Sequence, residues 1–105
     1  MSAHLSLPEE LTIYTVGEHA PLWRDALLAA DAEPPAGPYV IDCSAVQEID
    51  GAGVQLVVSL AHALKARHWP CQLQSPTPAL ADAFDRLGAH PLLTELSTTA
   101  EEAAA

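Results

Sequence analysis

Residues 39–56 have the sequence YVIDCSAVQEIDGAGVQL, and this stretch organises the rest of the chain. Its first residues, Tyr39 to Ile41, are apolar and partly β-branched, which predicts a buried strand. A polar connection follows, and Asp50-Gly51-Ala52-Gly53 then opens an amphipathic run to about Arg67. α/β domains commonly hold their functional groups where a strand, a tight turn and a helix N-terminus follow one another.

The segments before this stretch predict two strands, a helix and a loop. Two short apolar segments, at 5–7 and 11–16, lie on either side of Pro8. The second alternates apolar and polar residues, as a half-buried strand does, so we expect the two to form a hairpin. Residues 18–30 have helical periodicity. Residues 31–38 contain three prolines and a glycine and predict a loop.

The segments after the central turn predict a helix over 54–67 and a strand over 71–75. Thr77 is expected to cap a third helix, which ends before Gly88, a favourable residue just past a helix C-terminus. Residues 91–93, Pro-Leu-Leu, predict a short edge strand or a packed turn.

Apolar residues at helical spacing predict the core face of each helix. These residues are Leu22, Trp23, Ala26, Leu27 and Ala30 in the first helix, Leu56, Leu60 and Leu64 in the second, and Leu80, Phe84 and Leu87 in the third. The second helix carries another stripe at i, i+4 and i+7, which is polar but uncharged. It consists of Gln55, Ser59 and His62, and we expect it to face solvent or a partner.

The order β-β-α-β-α-β-α predicts a single α/β domain with a small mixed sheet and helices mainly on one face. Each β-α-β step is expected to form a right-handed parallel crossover. The 105 residues suffice for one modest core, built mainly from Leu, Val, Ile and Ala. We expect the domain to span 1–93 and the small, polar residues 94–105 to form a frayed tail.

The charge of the chain excludes several classes of partner. Its formal net charge is −10, from 14 acidic and 4 basic residues. Such a surface repels nucleic-acid phosphates and anionic lipids, so we expect neither nucleic-acid binding nor membrane-surface binding. We also expect no direct membrane insertion. A protein partner would more easily present a neutral or basic face. The acidity also aids solubility, and this alone could explain it.

The remaining composition predicts a soluble, cytoplasmic protein. Cys43 and Cys71 lie in apolar, strand-like surroundings without a CxxC motif, so we expect buried, reduced thiols. The first four residues lack the basic and long apolar parts of a signal peptide. No run approaches the roughly 18 apolar residues of a membrane span.

Motifs for catalysis or cofactor binding are missing from the sequence. The five histidines have neither HxxxH nor HxH spacing, so the sequence gives no support to a metal site. The glycines at 51 and 53 lack the third glycine and the ribose-binding context of a dinucleotide site. Asp42, Glu48 and Asp50 are close in sequence, but an acid–base role would need a cleft. We expect Asp50 to accept N–H groups at the helix start, and we predict no cofactor.

The motif Asp42-x-Ser44, an apolar residue, and then Asp50-x-x-Gly53 before an apolar helix resembles the signature of STAS domains. This family contains the anti-sigma-factor antagonists and related domains of sulfate transporters. The resemblance covers nearly the whole chain, because the length and the β-β-α-β-α-β-α order also fit. It implies a regulatory protein–protein interaction module rather than an enzyme.

The chain departs from the regulated members of the family at Gly51. In those members a Ser or Thr at this position accepts a phosphate from a partner kinase, and some have a Ser at the next position, which is Ala52 here. Neither residue can be phosphorylated. Gly51 could alternatively serve the turn itself, through a positive φ or the close approach of another backbone.

The resemblance also implies where a partner docks, namely on the turn and the exposed stripe of the following helix. The corresponding residues are Asp50, Gly51, Ala52, Gly53, Gln55, Ser59 and His62. Candidate partners are an anti-sigma-type ATPase or kinase and a chemotaxis or two-component protein. The alternatives are a role as accessory subunit of a bacterial lipid-transport ABC system, bound to its ATPase, and a small enzyme that uses Cys43 or Cys71.

Overall fold

The computed structural model describes residues 4–33 and 37–96. This part of the chain contains five strands and four helices, in the order β-β-α-β-β-α-β-α-α. The strands are β1 (His4–Ser6), β2 (Glu10–Leu11), β3 (Tyr39–Asp42), β4 (Glu48–Ile49) and β5 (Cys71–Gln74). The helices are α1 (Val16–Ala32), α2 (Gly51–Ala66), α3 (Pro78–Arg86) and α4 (residues 90–96).

The strands form two small parallel sheets. The first has the order β1-β3-β5, with Leu5, Ile41 and Leu73 in register across it. The second pairs β2 with β4, so that Leu11 lies beside Ile49. The predicted α/β class is confirmed, but all pairings in the described residues are parallel, in contrast to the expected mixed sheet.

The predicted hairpin between the first two strands is wrong. The Leu7 N–H still donates to the Asp42 carbonyl, at 2.9 Å, and so continues the ladder with β3. Pro8, however, has no N–H with which to extend that ladder. The chain therefore leaves the first sheet there, and β2 pairs with β4, a two-residue strand within the predicted polar connection.

The predicted strand over 11–16 ends after Leu11. The Thr12 N–H donates to the Thr15 hydroxyl oxygen at 3.0 Å, and the Val16 N–H donates to the Thr12 carbonyl at 2.9 Å. These bonds fold residues 12–15 into a tight loop that leads directly into α1. The alternating pattern therefore does not place Ile13 in the core, and its side chain is 61% exposed.

The core lies between the sheets and the helices, with α2 packed against both α1 and α3. It includes Ile41 and Leu73 of the first sheet and Trp23 of α1, all at most 5% exposed. Most of the predicted core face is confirmed. Leu22 and Leu87 are exceptions, because their side chains are 61% and 55% exposed.

The predicted ends of α3 are confirmed. The Thr77 side chain accepts a hydrogen bond from the Leu80 N–H at 3.3 Å, and Gly88 adopts a φ of +73° just past the helix. The edge strand or turn predicted at 91–93 is wrong, because these residues belong to α4. Pro91 fits the first turn of a helix, where its missing N–H costs little, and Leu93 is buried. The tail predicted from Thr94 stays a prediction: 94–96 continue α4, and 97–105 lie outside the described residues.

Gly53 allows α2 to approach the second sheet closely. A Cβ at this position would overlap the carbonyl oxygen of Leu11 and lie 2.8 Å from Cγ1 of Ile49. Real Cβ atoms do not approach other atoms this closely, so a larger residue must displace the β2 backbone. Gly51 differs, because a Cβ there would meet Cδ1 of Leu87 at 3.7 Å, an ordinary contact.

We expect Gly53→Ala to lower the free energy of unfolding by about 2–3 kcal/mol, because it overpacks a rigid backbone contact. Gly51→Ala is the matched control and should change stability by less than about 1 kcal/mol, since the added methyl group has space. Urea unfolding followed by circular dichroism measures both. A Gly53→Ala variant as stable as the wild type would contradict the close approach.

Candidate functional site

The four residues 50–53, which we call the corner, are Asp50, which follows β4, and the first three residues of α2. Asp50 is the N-cap of α2: its Oδ1 accepts the Gly53 N–H at 3.1 Å. Its Oδ2 accepts the N–H of Ile13 at 2.9 Å, from a residue 37 positions away in sequence. One carboxylate thus caps the helix and fastens the 12–15 loop to the corner. These two bonds hold the pKa of Asp50 below its ordinary value.

The predicted capping role of Asp50 is therefore confirmed, and both carboxylate oxygens are already used within the chain. Asp50 stabilises the corner through these hydrogen bonds, and its direct contact with a partner stays a prediction. The structure also shows that Gly51 and Gly53 have different roles in the fold. Gly53 meets the close approach of a neighbouring backbone, whereas Gly51 is exposed, has no positive φ and has space for a side chain. Gly51 is therefore not required by the fold.

An open groove of about 640 Å³ runs from the corner along α2. We call it the α2 groove. The described residues that line it are all uncharged: Gly51, Ala52, Val54, Gln55, Val58, Ser59, Leu87 and Ala89. The structure thus brings four of the predicted site residues, Gly51, Ala52, Gln55 and Ser59, to one continuous face. An uncharged face costs less to desolvate on binding than a charged one.

A second groove of about 450 Å³ shares Gly51 and Leu87 with the first. We call it the acidic groove, because its described lining contains three carboxylates and one cation. The carboxylates are Glu48, Asp50 and Asp82; the cation is Arg86, whose Nε lies 3.0 Å from Oδ2 of Asp82. Leu87 and Gly51 therefore stand on the boundary between an uncharged and an acidic half of the surface.

His62 does not join the other predicted residues. It lines a separate groove of about 460 Å³ near the C-terminal end of α2, together with Lys65, His68 and Trp69. The predicted stripe therefore divides along the helix. Gln55 and Ser59 belong to the α2 groove, and His62 belongs to a different surface.

The 12–15 loop contributes residues that the sequence patterns do not select. Ile13 and Tyr14 are 61% and 86% exposed, and the Ile13 N–H is bonded to the corner through Asp50. Leu87 is missed as well, because helical spacing assigns it to the core. One available signal is the pair of threonines at 12 and 15, three residues apart just before a helix. Their hydroxyl groups close local turns and interrupt a strand.

The carboxylates of Asp42 and Asp50 do not suit acid–base catalysis. Oδ1 of Asp42 accepts the Ser44 N–H at 2.9 Å, which lowers the pKa of Asp42 as the corresponding bonds do for Asp50. A general acid or base that works near pH 7 needs a pKa near 7, so both shifts have the wrong direction.

Neither cysteine has the environment of a nucleophile. Both are free thiols. Burial raises the pKa of Cys43 to about 12 and that of Cys71 to about 11. A reactive thiol requires the opposite shift, toward the thiolate.

Metal sites and membrane spans are both missing from the described ranges, 4–33 and 37–96. These ranges contain no group of three or more His, Cys, Asp or Glu side chains arranged to hold a metal ion. They also contain no helix long and apolar enough to span a membrane.

We expect Asp50→Asn to destabilise the protein at pH 7, because an amide offers only one acceptor oxygen where two N–H groups need one. The pKa of Asp50 is lowered on folding, so its contribution is complete above the ordinary value of 3.8 and is lost as the pH falls through the lower folded value. The difference between wild type and variant should therefore shrink in acid. Thermal unfolding from pH 7 to 2 tests this, with Asp85→Asn, at an exposed position of α3, as control. A constant difference over that range would contradict the assignment.

Comparisons with known proteins agree with this architecture. A family model described as "Mlab, STAS domain" matches residues 2–95. No curated protein matches the chain. Among solved structures, the crystal structure of a sulfate transporter family protein from Wolinella succinogenes has the same fold, with a TM-score of 0.71 and 17% sequence identity. The alignment covers 90% of this chain and 72% of that one. The resemblance inferred from the Asp42 and Asp50 motifs is confirmed: the chain belongs to the STAS domain family.

Proposed function

We propose that this STAS domain is a non-catalytic module that docks on a protein partner through the corner and the α2 groove, without control by phosphorylation there. The observation that carries the proposal is Gly51. This residue is exposed at the start of α2, lies beside an uncharged groove and has no hydroxyl group. STAS domains commonly mediate protein interactions, and an exposed, uncharged groove is chemically suited to contact a protein.

The electrostatics of the corner explain why the missing hydroxyl group matters. A phosphate on residue 51 would add about −1.5 to −2 charges. Residue 51 lines both the acidic groove and the uncharged α2 groove, so this charge would lie at both of them. Docking in the regulated members can be switched by that charge. In this chain neither Gly51 nor Ala52 can carry it, so no phosphate at these two positions can block binding.

Two classes of partner fit a surface that no phosphate at these two positions can block. The first is a signalling protein, either an anti-sigma-type ATPase or kinase or a chemotaxis or two-component protein. The second is the ATPase of a bacterial lipid-transport ABC system, with this chain as an accessory subunit. The lack of a phosphoacceptor favours the second class, because a permanent subunit needs no switch.

We expect Gly51→Trp to weaken binding to the host's ABC ATPase by about 100-fold or more, because the indole would fill the centre of the contact. The matched control is Ala66→Trp, at an exposed position about 22 Å away along the same helix by the helical rise. Co-expression, purification and calorimetric titration compare the variants, and circular dichroism confirms that each is folded. Equal affinity of Gly51→Trp and the wild type would refute docking at the corner. Binding to a purified signalling kinase instead would identify the first class of partner.

Incubation of the wild-type protein with candidate partner kinases and ATP should leave no phosphate on residues 50–53. Gly51→Ser is the informative control, because the structure has space for its side chain beside Leu87. If a kinase of the regulated type is the partner, this variant should gain a phosphate at position 51. Mass spectrometry of the peptide reports both results. Modification of Ser44 in the wild type would show that another hydroxyl group replaces the missing one.

A further inference from the structure

This inference rests on the proposed docking function and specifies the chemistry of the partner. We propose that Ile13 and Tyr14 anchor the docking surface, and that the partner presents an apolar pocket flanked on one side by lysine or arginine. The inference joins three properties of the described surface: a loop held in one conformation, its bond to the corner, and the division of charge across Leu87.

The 12–15 loop holds two large side chains in solvent on a preorganised backbone. The Thr12 hydroxyl donates to Oε2 of Glu10 at 2.8 Å and accepts the Tyr14 N–H at 3.3 Å. The Thr15 hydroxyl accepts the Thr12 N–H and donates to the Glu10 carbonyl at 3.1 Å. Thr12 is itself buried, at 4% exposure. A loop fixed in this way loses little entropy on binding.

The exposure of the Ile13 and Tyr14 side chains suits contact with a protein partner. Tyr14 is 86% exposed, the highest value among the large apolar and aromatic residues that the structure describes as exposed. Tyrosine is enriched among the residues that dominate interface energies, since it combines a large apolar area with a polar tip. Neighbouring apolar side chains on a rigid loop, next to a proposed docking site, form a patch of the kind that marks protein contacts.

The loop and the corner form one continuous surface. The Asp50 carboxylate joins the Ile13 N–H to the start of α2, and Gly51 follows Asp50 directly. Leu87, 55% exposed and just past the end of α3, borders Gly51. The proposed docking surface therefore combines exposed side chains of two segments, Ile13 and Tyr14 on the loop bonded to Asp50, and Leu87 just past α3.

The charge distribution selects the type of partner. On one side of Leu87 the α2 groove has no charged lining residue in the described chain, and on the other side the acidic groove has three carboxylates and one cation. A second copy of this chain would bring carboxylates against carboxylates, on a protein with net charge −10. Charge complementarity therefore favours a different protein, with basic side chains over Glu48 and apolar ones over the α2 groove.

The test uses the purified ABC ATPase of the host as the probe, titrated calorimetrically with the full chain. Tyr14→Ala should weaken binding by about 30-fold, the range of an interface hot spot. Leu28→Ala removes a side chain of α1 that is 57% exposed and lines neither groove, and it should leave the affinity unchanged. Circular dichroism verifies that both variants are folded.

A charge reversal tests the basic flank independently. Glu48→Lys should weaken binding by about tenfold and make the affinity less sensitive to salt, because it removes an attraction between opposite charges. Asp85→Lys changes the net charge equally, lies on α3 outside both grooves, and should have little effect on either quantity.

The outcomes separate this inference from the docking function on which it rests. If Gly51→Trp abolishes binding while Tyr14→Ala and Glu48→Lys bind like the wild type, docking at the corner stands and the anchor and basic flank are overturned. If Gly51→Trp also binds normally, the docking function itself fails. Tighter binding of Glu48→Lys would show an acidic partner and overturn the proposed chemistry.

Discussion

The backbone contact between α2 and β2 is the constraint on which the corner depends. At Gly53 the helix lies so close to the Leu11 carbonyl that no Cβ fits between them. This contact fixes the distance between a helix and a strand that are far apart in the sequence. It therefore determines where the first turn of α2 stands relative to β2, and with it where Gly51 and Ala52 meet solvent.

The Asp50 carboxylate adds a second constraint on the corner. Because its two oxygens accept N–H groups from α2 and from the 12–15 loop, the helix start and the loop cannot move independently without breaking a charge-assisted bond. The packing contact at Gly53 and the hydrogen bonds of Asp50 thus both constrain the first turn of α2. The result is a corner with little freedom to rearrange, and a preorganised surface of this kind loses less entropy when a partner binds.

The sequence predicted the parts of this arrangement that depend on local chemistry. The strand at Tyr39, the cap at Asp50 and the αL residue at Gly88 follow from residue types within a few positions of each other, and the Asp42 and Asp50 motifs together indicated the family. The β2–β4 pair could not be predicted, because two polar–apolar dipeptides carry no periodicity and their pairing depends on tertiary contacts. The exposure of Leu87 had a similar cause. Helical spacing places it with Leu80 and Phe84, but α3 ends at Arg86 and the chain turns away before that face is covered.

The two glycines of the corner differ in whether the fold requires them. Gly53 is required by packing, so this position cannot vary without moving β2. Gly51 has space for a Cβ and an ordinary backbone conformation, so a serine would fit the same corner. The lack of a hydroxyl group at position 51 is therefore not a consequence of the fold. The corner thus has a capped helix, a hydrogen-bonded loop and an uncharged groove beside it, but no hydroxyl group at position 51. If the proposed docking function holds, a partner that binds at this corner does so without a phosphate at position 51, which favours a lasting complex over a regulated one.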